Sequence, residues 1–64
     1  MSYCFPEKLK AYRKKAHLTQ TELAKKLHLS HSTISEYETG VRYPSIDKVY
    51  DMAQILGIPI SSLF

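Results

Sequence analysis

Apolar positions recur along the chain at helical spacing, and the spacing is interrupted wherever capping or turn residues stand. Phe5, Leu9, Tyr12 and Ala16 fall at i, i+4, i+7 and i+11, drawing one apolar stripe beside a basic face. Pro6 suits a first helical turn, where a missing N–H does no harm. A helix is predicted from about Pro6 to Ala16. Thr19-Gln20-Thr21-Glu22 has the capping-box form and opens a second helix with Leu23, Ala24 and Leu27 inward. Ser30 offers another N-cap soon afterwards, and Ile34 and Tyr37 keep the spacing until Gly40, so a short third helix is expected near His31 to Thr39. Val41-Arg42-Tyr43-Pro44 reads as a loop. Ser45 then caps a fourth helix with Ile46, Val49, Met52, Ala53 and Leu56 as its buried stripe and Gly57 as its end. After Pro59 one more helical turn fits, through Ile60 to Phe64. No strand pattern, repeat or low-complexity tract interrupts this series.

Two short helices joined by about three residues do not lie antiparallel as in a bundle; a crossing near 90–120° is the helix-turn-helix arrangement. Such a crossing needs a small residue where the backbones meet. Ala24 in the second helix and Ile34 in the third stand where the close contact and the central apolar plug are required.

Length then limits what this all-helical domain can do. Sixty-four residues make one core, and a domain of this size buries only about 60% of its unfolded surface, which leaves little room for an enclosed active site. No apolar run approaches the roughly 20 residues that span a bilayer. The N-terminal MSYCFPEKLK has neither the leading charges nor the apolar stretch of a signal peptide, so a cytoplasmic protein is expected. The one cysteine, Cys4, is expected as a thiol near the start of the first helix with no redox or metal role.

The net charge of +3 fits a polyanionic partner, and its distribution says more than its sum. Residues 6–18 carry Lys8, Lys10, Arg13, Lys14 and Lys15 against Glu7, and residues 19–29 carry Lys25 and Lys26 against Glu22. The third helix holds only Glu36 and Glu38, and beyond it Arg42 and Lys48 balance Asp47 and Asp51. An acidic partner should meet the first half of the chain.

The segment LTQTELAKKLHLSHSTISEYETG, Leu18 to Gly40, resembles the helix-turn-helix of the lambda-repressor and Cro family, the xenobiotic-response-element type of bacterial and phage regulators. The Leu9 to Arg13 pattern before it and YPSIDKVYDMAQILGI after it extend the resemblance over roughly residues 5–64. It implies a compact five-helix DNA-binding domain, residues 1–64, with the motif at about 20–39. It further implies a sequence-specific transcriptional regulator of double-stranded DNA, in repressor form, whose third helix enters the major groove. By the same resemblance Gln20 and Thr21 would sit on backbone phosphate, His31, Ser32, Ser35 and Glu36 would face base edges, and Thr39 and Arg42 would reach phosphate again. Helical geometry agrees for the base-facing set: with Ile34 and Tyr37 inward, residues 31, 32, 35 and 36 lie outward. Arg13 and Glu38, at places where the family has an arginine and a glutamate, would form a buried structural ion pair.

The chain departs from the family pattern at two points. His28 stands where glycine is usual in the turn, and the third helix contains no lysine or arginine, so the strong bidentate guanine contacts are not available from it. Phosphate attraction must then come from the flanks, where Arg42 is expected to strengthen binding to all sequences alike.

Other candidates dissolve into simpler roles. His17, His28 and His31 lack the four convergent ligands of a structural zinc site. Ser30, Ser32 and Ser35 have no orienting acid or oxyanion loop, and neither an enzyme nor a cofactor is expected. Tyr12 and Tyr37 have core spacing, which leaves Tyr43 as a DNA-backbone contact. Ile58, Ile60, Leu63 and Phe64 crowd apolar surface at the C-terminal end, where a homodimer interface is expected. A two-fold dimer would set its reading helices about 34 Å apart on a pseudo-palindromic operator. The competing function is an antitoxin that neutralises a partner protein and regulates through the same DNA-binding fold.

Overall fold

The computed structural model describes residues 4–64, so residues 1–3 of the N-terminal stretch discussed above lie outside it. Its elements are α1 (Phe5–Lys15), α2 (Gln20–Leu27), α3 (His31–Thr39), α4 (Ile46–Leu56) and a final 3₁₀ turn (Ile60–Leu63). The described residues contain no strand. The fold is thus all-helical with four α-helices, and the fifth element expected after Pro59 is a single tight turn instead of an α-helix.

The N-termini form as their capping residues dictate. Thr19 Oγ1 accepts the Glu22 N–H at 3.0 Å while Glu22 Oε1 accepts the Thr19 N–H at 2.8 Å, closing the capping box reciprocally. Ser30 Oγ accepts the Thr33 N–H at 3.3 Å and Ser45 Oγ accepts the Lys48 N–H at 3.4 Å, so α3 and α4 start on serine caps. At α1, Cys4 is a half-buried N-cap with no side-chain capping bond, and Pro6 follows in the first turn.

All four C-termini use one device. The N–H groups of Leu18, Leu29, Val41 and Ile58 reach back to the carbonyls of Arg13, Ala24, Glu36 and Ala53 at 3.1, 2.8, 3.0 and 3.0 Å. The residue before each donor is left-handed: His17, His28, Gly40 and Gly57, with φ of 61°, 58°, 81° and 69°. This is the Schellman arrangement, which satisfies the last helical carbonyls and turns the following apolar residue back toward the helix. Glycine takes this conformation freely, whereas a histidine does so against its Cβ.

The core gathers Phe5 and Leu9 from α1, Leu23, Ala24 and Leu27 from α2, Ile34 and Tyr37 from α3, Val49, Met52 and Ala53 from α4, and Leu63 from the final turn. α3 packs against both α1 and α2, and the final turn closes on α4 and α1. Two expected stripe positions stay outside. Ala16 is exposed because α1 ends at Lys15 and the turn at His17 begins there. Ile46 is 60% exposed because it opens α4, and a helical side chain leans toward the N-terminus, here past the edge of the core.

The C-terminal segment also differs from its expected role. Leu63 is fully buried within the single chain, so it is a core residue and not part of an exposed surface. Ile58 and Ile60 are half-buried against the same core, and only Phe64, 47% exposed, keeps a large apolar face outside. The physical reason is that the 3₁₀ turn, its Ser62 N–H donating to the Pro59 carbonyl at 2.9 Å, folds Leu63 back under α4 and α1. Lys8 Nζ donates to the Phe64 main-chain oxygen and ties this end to α1.

Candidate nucleic-acid interface

α3 has two faces with different chemistry. Ile34 and Tyr37 are buried on the inner one. On the outer one His31 and Ser32 are exposed and Ser35 and Glu36 are half-buried at its edge. Ser30 caps the N-terminal end of the helix and His31 opens it, both exposed. No described residue within α3 is cationic.

The inner face carries the one buried charge cluster of the described residues. Arg13 Nε donates to Glu38 Oε2 at 2.6 Å and Nη2 donates to Glu38 Oε1 at 3.1 Å, a bidentate pair in which both side chains are almost wholly buried. Arg13 Nη1 donates to the Leu18 carbonyl at 2.7 Å. Gln20 Nε2 completes the set by donating to Glu38 Oε1 at 3.0 Å. α1, the loop before α2, the first turn of α2 and the last turn of α3 are thereby fastened at one point. Sequence reasoning placed Gln20 on phosphate alone and missed this bond. Gln20 and Glu38 lie 18 positions apart, so no local pattern announces it.

The other candidate phosphate contacts are distributed around α3. Thr21 is exposed on the first turn of α2 beside the half-buried Gln20. Thr39 is exposed, but its hydroxyl donates to the Ser35 carbonyl at 3.0 Å, so its hydrogen is directed into its own helix. Tyr43 is exposed in the α3–α4 loop with its ring tilted against Phe5 at a centroid distance of 6.3 Å. Arg42 is exposed in the same loop, and its Nε lies 3.2 Å from Glu36 Oε1. That second ion pair joins a residue expected on phosphate with one expected on bases. The signal was the Gly40 turn, which reverses the chain so that Arg42 returns beside Glu36.

Electrostatics along α2 follow from the capping box. Glu22 has its carboxyl held below the usual glutamate value of 4.5, first by the Thr19 main-chain N–H, then by the Thr19 hydroxyl, with Lys26 and Lys25 assisting. The ionised carboxylate at the start of α2 also complements the helix dipole.

Known proteins of the same kind bear on this geometry. The Helix-turn-helix family profile matches residues 9–63. An HTH-type transcriptional regulator of Methanocaldococcus jannaschii, MJ0272, is 42% identical over 57 residues, covering 89% of this chain and 86% of the relative. Two longer relatives, the activator BcrR of Enterococcus faecalis and the immunity repressor of Bacillus phage phi105, are 34% and 37% identical, and the chain spans 29% and 40% of their lengths. Among solved structures, the restriction-modification controller protein C.AhdI of Aeromonas hydrophila superposes with a TM-score of 0.89 at 29% identity, covering 97% of this chain and 94% of that one. The biofilm master regulator SinR, solved in complex with DNA, gives 0.84 at 27% identity, covering 92% and 95%. With the profile running from within α1 to the end of the final turn, the chain belongs to the helix-turn-helix family of the lambda-repressor and Cro, xenobiotic-response-element type, the DNA-binding fold of transcriptional regulators.

Proposed function

We propose that this protein is a sequence-specific repressor that reads the major groove of double-stranded DNA with α3. The carrying observation is the division of α3 into a buried face at Ile34 and Tyr37 and an outward face at His31, Ser32, Ser35 and Glu36. His31 can donate to a purine acceptor, the serines suit either partner, and Glu36 can accept from cytosine N4. Gln20, Thr21, Thr39, Arg42 and Tyr43 flank that face and are assigned to backbone contacts, which position the protein without reading sequence. The repressor sense draws on the similarity to the phage immunity repressor. We assign a homodimer to the surface around Phe64, with Ile58 and Ile60 at its margin, which would match a pseudo-palindromic site.

Selection from a randomised duplex pool at a fixed, stated salt concentration tests this, since phosphate-driven affinity falls steeply with salt. A single enriched motif, with binding blocked by methylation of guanine N7 in the major groove, is expected. Enrichment of no sequence, or indifference to major-groove methylation, sinks the reading.

A further inference from the structure

Glu36 and Arg42 are held together twice. Their side chains meet at 3.2 Å, and the Glu36 main-chain carbonyl accepts the N–H groups of Val41 at 3.0 Å and Arg42 at 3.3 Å. The left-handed Gly40, φ 81°, produces this reversal and fixes the Arg42 backbone beside the end of α3. Both side chains remain accessible, 62% for Arg42 and 40% for Glu36, so neither is committed to the core. From residue 27 to residue 47 Arg42 is the sole lysine or arginine in the sequence.

The guanidinium is planar with five N–H donors, and its Nε lies 3.2 Å from Glu36 Oε1. A fork of that size can hold a phosphate on its terminal nitrogens while Nε stays on the carboxylate. Glu36 then keeps Oε1 on Arg42 and has Oε2 left for an amino group on a base edge. A carboxylate with no cation beside it would instead enter a groove flanked by phosphates as an unbalanced negative charge, at every sequence.

We propose that Arg42 is a specificity-determining residue that acts through Glu36, bridging it to backbone phosphate so that one carboxylate oxygen is presented to a cytosine or adenine amino group. This rests on the assignment of α3 as the reading helix, and it replaces the simpler expectation that Arg42 strengthens binding to all sequences equally. Arg42 is a positioning residue here, and Glu36 makes the base contact. Lysine cannot substitute, because a point charge with rotatable donors cannot hold a carboxylate on one edge and a phosphate on another in fixed geometry.

The experiment uses the full chain and the selected duplex. Glu36→Gln first identifies the base pair whose preference depends on Glu36, and affinities for the four duplexes differing there are then measured across a salt series for wild type, Arg42→Lys and Arg42→Gln. Arg42→Lys is expected to keep the wild-type salt slope yet reduce preference at that pair about fivefold or more, the lower range for one directly read pair. Arg42→Gln should lose the same preference and also flatten the slope by about one charge. Wild-type base preference in Arg42→Lys, or equal weakening on all four duplexes in Arg42→Gln, overturns the proposal and leaves α3 as the reading helix. If Glu36→Gln alters preference at no base pair, the reading role of Glu36 itself fails and this proposal falls with it.

Discussion

Two glutamates stand two positions apart on α3, each paired with an arginine, and they belong to opposite sides of the molecule. At 3.6 residues per turn Glu36 and Glu38 point about 200° apart. Glu38, inside, is 2% exposed and receives two bonds from Arg13 and one from Gln20. Glu36, outside, is 40% exposed and pairs with Arg42 at 3.2 Å. Burial explains why the inner cluster is so fully bonded: charges taken out of water are tolerated only when their hydrogen-bonding capacity is used. The outer pair carries no such demand, and exposed pairs of this kind contribute roughly 0–1 kcal/mol to stability. One helix therefore fastens the domain with its inner side and offers adjustable chemistry on its outer side.

The inner side should give the largest effect. Glu38→Ala leaves the Arg13 guanidinium buried with only the Leu18 carbonyl, and removing one partner of a buried pair costs about 3–5 kcal/mol. Against a total of roughly 5–15 kcal/mol this is close to unfolding for a domain of 64 residues. Urea titration is the measurement. A midpoint near that of wild type would mean the pair is not buried in solution and would erase the contrast drawn here. Replacing both residues by apolar ones of similar volume should recover most of the loss, because breaking the pair, not lacking it, is what destabilises.

A smaller effect is expected at the turn that joins α2 to α3. His28 holds φ at 58°, in the left-handed region that a Cβ disfavours. His28→Gly removes that strain and should stabilise the domain by about 1 kcal/mol, read as a higher melting temperature. Because His28 is on neither face of α3, selected DNA sequence should be unchanged. A loss of stability would mean that the histidine ring contributes more than its backbone strain removes.

These two positions also mark what the chain discloses and what it conceals. Helix starts were legible because Thr19, Ser30 and Ser45 are capping residues with a local mechanism. Helix ends at Gly40 and Gly57 were legible for the same reason, whereas the equivalent end at His17 carries no residue signal and was read one turn position late. Ile46 was misplaced because periodicity gives direction around a helix but not distance from the core, and Leu63 because apolar crowding alone does not say that a tight turn can fold a side chain under two helices. Of the candidate site, the outward set on α3 follows from angle alone. Of its couplings, Arg42 to Glu36 follows from the Gly40 reversal, whereas Gln20 to Glu38 depends on how two helices meet in space, which no local pattern encodes.

Acid should act on the capping box through Glu22. The folded-state carboxyl of Glu22 lies below its ordinary value, so its contribution is present above about pH 4.5 and is lost as pH falls through the lower folded value. Glu22→Gln should therefore flatten the stability profile on the acid side and leave it nearly unchanged at pH 7 relative to its own alkaline limb. Melting curves over a pH series check this. An unchanged acid slope would place the Thr19–Glu22 contact outside the solution ensemble.

The smallest stability change should come from the outer pair, and it is the sharpest test of the contrast between the faces. Glu36→Gln and Arg42→Gln each remove one partner from a pair that water already solvates, so folding free energy should move by no more than about 0.5 kcal/mol. High salt should shrink even that difference, since exposed charges are screened within about 10 Å at 0.1 M. Melting temperatures within experimental scatter of wild type are expected, in the same preparations whose DNA preference is altered. A loss above 2 kcal/mol for either variant would show that the outer pair also fastens the fold. The inner and outer glutamates would then share one structural task, and altered DNA binding by an outer variant could no longer be read as a change in recognition alone.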